Sequence, residues 1–143
     1  MTIIDNLYDY IKTCPALAEV RLDIDCLQSE PEHYSLDSVA GERIVKQYLD
    51  GSTVRRQLFT VSSRANFGPD LNQQKENLEV FAALESWLDT QEALGVLPLL
   101  GAKQRARSLH VLSTAYPIEV DEGSVGGLAR YQIQMELIYL QEV

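Results

Sequence analysis

Apolar residues recur at helical spacing in two stretches of the chain and alternate in several others. In 3–12, Ile3, Ile4, Leu7, Tyr8 and Ile11 form one stripe with a 3.6-residue period, which predicts an amphipathic helix. Thr2 stands where an N-cap belongs, Asp5 is its acidic partner in the first turn, and Pro15 marks the stop. In 18–27 the period changes to two. Val20, Leu22, Ile24 and Cys26 fall on one side, and Arg21, Asp23 and Asp25 on the other, the pattern of a half-buried strand. Residues 33–39 suit a short strand or an extended loop.

Two longer strands are expected over 43–49 and 53–64, joined by the turn residues Asp50, Gly51 and Ser52 into a hairpin. In the second strand Val54, Arg56, Leu58 and Thr60 share one face, while Arg55, Gln57, Phe59 and Val61 share the other. Both faces are mixed, so this arm is expected to project or to sit at an interface. A long helix is expected over 70–93, with Leu71, Leu78, Phe81, Ala82, Trp87 and Leu88 on its apolar side and Asp70, Glu76, Glu79, Glu85, Asp89 and Glu92 outside. Gly95 fits the position just past its end, and Pro98 prevents an early restart. The last two strands fall at 107–116 and 128–140, joined by the glycine-rich DEGSVGG, and should pair antiparallel. The order predicts a single α+β domain over 1–143: a mostly antiparallel sheet with two main helices packed on one face.

With 45% hydrophobic residues in 143, the chain has enough apolar surface for a core, which argues against disorder. The formal net charge of −9 argues against a domain built to neutralise phosphates. No apolar run approaches the ~20 residues of a membrane span. The opening MTIIDNLYDYIK lacks a basic n-region, so a secretory signal is not expected, and a soluble intracellular domain is. Cys14 and Cys26 are expected as buried free thiols. His33 and His110 show no metal-ligand spacing with them.

The charge is blocked along the chain. Residues 41–68 carry five basic and two acidic side chains, and 102–117 carry three basic and none acidic. Residues 1–40 carry two basic and eight acidic, and 69–101 one basic and six acidic. Such blocks allow head-to-tail docking between copies. They equally allow neutralisation within one copy, with hairpin arginines beside helix glutamates.

No nucleophile elbow, phosphate loop or dinucleotide fingerprint is present. Ser108 and His110 share a strand side but point in parallel. Asp23 and Asp25 have no third group converging on them in the sequence and read as a solvated face or a partner contact. No enzyme activity and no cofactor is expected. The alternative is a small enzyme or ligand-binding domain whose site is scattered, with His110 in a pocket.

The stretches DNLYDYIKTCP, YLDGSTVRRQLFTVSSRANFGPD, ENLEVFAALESWL and RYQIQMELIYLQ together resemble the minor capsid protein family of tailed phages and prophages of Gram-positive bacteria. That family is similar in layout to the tail terminator proteins of long-tailed phages. The resemblance covers about residues 5 to 142 and is one of layout, with no catalytic signature. It implies a sheet with helices on one side, in a subunit of a ring, expected to be a hexamer, at the head-proximal end of the tail tube. The implied partners are further copies of itself, the tail tube protein, and a head–tail connector or stopper protein. DNA would pass through the lumen without specific binding, and no membrane is involved. The implied location is the neck of the virion, after assembly in the bacterial cytoplasm. A head-completion or connector role is the alternative within the virion. On this reading Arg43, Lys46, Arg55, Arg56 and Arg64 are candidates for contacts with a neighbouring subunit or the tube. Asp23, Asp25, Glu76 and Glu79 are candidates for an acidic lumen.

Overall fold

The computed structural model describes residues 2–17, 21–24, 33–41, 43–66, 71–121 and 128–143. Helix α1 (Ile3–Ile11) starts at Thr2. The Thr2 hydroxyl accepts the Asp5 N–H at 3.2 Å, and the Asp5 carboxylate accepts the Thr2 N–H at 2.9 Å. Two orphan donors are thereby satisfied in a reciprocal capping box. These bonds to the Thr2 backbone and side chain hold the Asp5 carboxyl below its ordinary 3.8. A lowered folded-state value means that the box stabilises the helix above the ordinary carboxylate range and stops doing so as the pH falls through the folded value. Amide-exchange protection of α1 is therefore expected to decline in acid below pH ~4. The D5N variant should show weaker protection at neutral pH and little of that acid dependence. A wild-type profile flat down to pH ~2 would contradict the assignment.

After a 3₁₀ turn at Pro15–Leu17 come β1 (Arg21–Ile24), β2 (His33–Val39), β3 (Ile44–Gln47) and β4 (Thr53–Asn66). Helix α2 (Leu71–Leu94), β5 (Gln104–Asp121) and β6 (Leu128–Gln141) complete the chain. The strands form one sheet in the order β1-β2-β4-β6-β5, with β3 also paired to β4. Only β1 and β2 run parallel; the other pairings are antiparallel. Of the expected first strand, Val20, Asp25 and Cys26 lie outside the described residues, as does most of the DEGSVGG connection.

Register explains the core. Tyr131, Ile133, Met135, Leu137 and Tyr139 are buried on one face of β6. Phe59 and Val61 of β4 stand opposite Met135 and Ile133, Leu36 of β2 opposite Val61, and Leu109 of β5 opposite Leu137. Leu7 and Ile11 of α1 join this cluster together with Phe81, Leu84 and Leu88 of α2. Both helices therefore cover the same sheet face, and the fold is α+β as its pattern implied. Tyr8 adds a polar tie, its hydroxyl donating to the Leu22 carbonyl at 2.9 Å.

Three expectations are corrected. The strand β4 is not a projecting arm: it is paired on both edges, and residues 59–63 are buried on both faces. Only β3 of the hairpin is exposed throughout. On α2, Ala82 is exposed, and Leu84 occupies the core position. One residue past Phe81 rotates 100° away from the core, whereas positions 81, 84 and 88 share a face. The strand β5 is longer than 107–116, because shifts of register at Ala106/Ser108, Val111/Ser113, Ser113/Tyr116 and Pro117/Glu119 break its alternation. It ends the sheet order beside β6, and such an edge strand tolerates Pro117.

The end of α2 is set by Gly95, at φ +74°. Its N–H donates to the Glu92 carbonyl at 3.1 Å, and the Val96 N–H to the Gln91 carbonyl at 2.9 Å. These two bonds form a Schellman closure, which needs a left-handed residue at this position.

Candidate assembly surface

The β3–β4 turn presents a fixed tip. The Tyr48 N–H donates to the Ser52 carbonyl at 2.9 Å and the Gly51 N–H to the Tyr48 carbonyl at 3.1 Å. Gly51 takes φ +94°, where a side chain would be strained. The Asp50 carboxylate accepts both the hydroxyl and the N–H of Ser52, which holds its carboxyl below the ordinary value. On this braced turn Leu49 is fully exposed, and Val45 of β3 is 55% exposed. An ordered tip that leaves large apolar side chains in water is the kind of surface a partner covers.

The five basic candidates separate. Arg43 and Lys46 are exposed, and the Lys46 ammonium lies 5.0 Å from the Tyr48 ring centroid. Arg55 is half-buried, its Nε donating to Thr53 Oγ1 at 2.9 Å. Arg56, on the opposite face of β4, pairs with Glu136 of β6 at 3.3 Å. Arg64 lies on β4, but its side chain is outside the described residues. Neutralisation within one copy thus reaches Arg56, but its partner is a strand glutamate and not a helix glutamate. Arg105 likewise pairs with Glu142 beyond β6, at 3.3 Å.

The acidic candidates do not converge. Asp23 stands opposite Ser35 in the β1–β2 ladder, on the sheet face away from the helices. Glu79 is exposed on α2. Asp25 lies outside the described residues, as does the side chain of Glu76. Glu79, Asp89 and Glu92 are exposed and make the outside of the helix layer acidic.

One cluster was not visible in the sequence. Glu136 faces His110 directly across the β5–β6 ladder and takes its Nε2 at 3.1 Å, while its other oxygen holds Arg56. A carboxylate that orients an imidazole is one part of a general-base arrangement. Among the described residues no hydroxyl or thiol bonds to His110 to complete it. The only available signal is the cross-strand register, which the linear pattern does not carry. Cys14 is fully buried as a free thiol, and burial pushes its pKa up, away from the reactive thiolate.

Among the described residues no group of three or more His, Cys, Asp or Glu could hold a metal ion, and no helix is long and apolar enough to cross a membrane. No protein-family model matches the chain, and no curated protein matches it in sequence.

Proposed function

We propose that the protein is a non-enzymatic subunit of a phage head–tail neck, a tail terminator whose copies close into a ring, expected to be hexameric. The ring would cap the tail tube and join it to the connector or stopper of the head. The observation that carries this reading is the exposed β3 side of the hairpin, with Leu49 uncovered on its braced turn and Arg43, Val45 and Lys46 exposed further back along the strand, on a domain whose helix layer is acidic outside. Unlike patches on one subunit favour a heterologous contact, which closes into a ring when the rotation per copy divides a full turn. An acidic lumen would let DNA slide, because like charge removes the phosphate attraction behind non-specific binding.

The test is electron microscopy of lysates from a phage or prophage lacking this gene. Tails of excessive, uncontrolled length are the expected result. Normal tails beside empty, leaking heads would overturn the terminator reading in favour of head completion. Intact infectious particles would overturn both.

A further inference from the structure

We propose that Asp37, Ser35 and Ser62, with Asp23 beside them, hold a hard divalent cation of the calcium class on the sheet face away from the helices. This goes beyond the neck reading and does not depend on it.

Register gathers the oxygens. Ser35 of β2 stands opposite Asp23 of β1 on one side and opposite Ser62 of β4 on the other. Asp37 lies two residues on from Ser35 and shares its face, and the Ser35 hydroxyl donates to Asp37 Oδ1 at 2.7 Å. Thr60 stands opposite Asp37 and adds a third hydroxyl. The residues that alternate with these, Tyr34, Leu36 and Val61, belong to the core under the helices. Opposite and diagonal neighbours in a sheet lie roughly 5–8 Å apart, close enough for carboxylates on adjacent strands to share one ion.

Unmet bonding capacity points to a ligand. Ser62 is fully buried, and its hydroxyl has no hydrogen-bond partner. Asp37 is half-buried, its Oδ2 is closed off from water without a partner, and no lysine or arginine pairs with the carboxylate. A buried carboxylate oxygen without a donor is costly, and such places are filled by an ordered water or an ion. Charge selects the ion. Asp23 and Asp37 set two carboxylates on neighbouring strands, and the remaining groups, Ser35, Thr60 and Ser62, also offer oxygen. An oxygen-only set suits a hard cation and not the metals that favour imidazole or thiolate. Calcium tolerates an irregular shell that water completes, whereas magnesium demands a near-ideal octahedron. Bound here, the ion ties β1, which has four residues and pairs only with β2, to the middle of the sheet.

Calcium chloride added to the purified full chain, against potassium chloride of matched ionic strength, tests the site. With so few charged ligands the dissociation constant should fall at roughly 0.1–1 mM. At ~10 mM calcium the ratio of folded to unfolded protein should then rise about ten- to a hundredfold, with a higher melting temperature. Magnesium should give a smaller rise. Calorimetric titration of the wild-type protein should show one calcium per chain, a measurement that needs no variant. D37N should abolish the calcium response, and S62A should weaken it several-fold. D9N, which removes an exposed carboxylate of α1, should respond like wild type. No response beyond that to potassium would mean that water alone satisfies these oxygens, and overturns the proposal. A full response in D37N, or an equal loss in D9N and D37N, would assign calcium to the general acidity of the chain and also overturns it.

Discussion

Replacing Phe59 by alanine is expected to cost about 4 kcal/mol of stability, the largest loss from any single substitution considered for this protein. Phe59 is fully buried on the central strand β4, between Ser38 of β2 and Met135 of β6. Removing the ring loses its transfer free energy and leaves a cavity that paired strands on both sides cannot close. Domains of this kind are stable by only about 5–15 kcal/mol, so the variant should keep a fraction of that. Its melting temperature should fall by roughly 10–15 °C. Denaturant titration of F59A beside L49A gives the comparison, since the exposed leucine should change stability by no more than about 0.5 kcal/mol. A loss below ~1 kcal/mol in F59A would mean that β4 does not close the core.

Charge reversal at Arg56 is expected to destabilise the monomer by about 2 kcal/mol, although the same change at Arg43 or Lys46 leaves it folded. The sequence alone treats the hairpin cations as one set, and reversal at Arg55 and Arg56 is expected from it to weaken assembly only. The fold divides them. The Glu136 side chain is 13% exposed and that of Arg56 32%, so a glutamate at position 56 sets two carboxylates together where water screens them only in part. The estimate stays well under the cost of breaking a fully buried pair because Arg56 keeps a third of its surface in water and Glu136 keeps His110. Thermal denaturation of R56E, R56M and the R56E/E136R exchange is the check. The methionine variant should lose less than R56E, and the exchange should recover part of the loss. Equal stability of R56E and wild type would return Arg56 to the free docking set.

Local pattern was enough for the elements. The stripe Ile3–Leu7–Ile11 and the cap at Thr2 mark α1, Gly51 marks the hairpin turn, Gly95 marks the end of α2, and the alternation through Tyr131–Tyr139 marks β6. Each depends on neighbours within a few residues, because helix and strand periods and caps are short-range. The linear pattern misleads where the period fails. Four register shifts hide the length of β5, and the adjacent apolar residues Phe81 and Ala82 read as one face although the helix rotates them apart.

The candidate site was legible only in part. Composition and turn chemistry by themselves located a basic hairpin, an acidic helix and an α+β domain. Tertiary structure alone decided that β4 lies between β2 and β6, and that Arg56 is held by Glu136 while Lys46 and Leu49 stay outside. The reason is range. Residues 56, 110 and 136 meet because three strands align in one register, and no periodicity inside any one strand specifies which residue of its neighbour it will face.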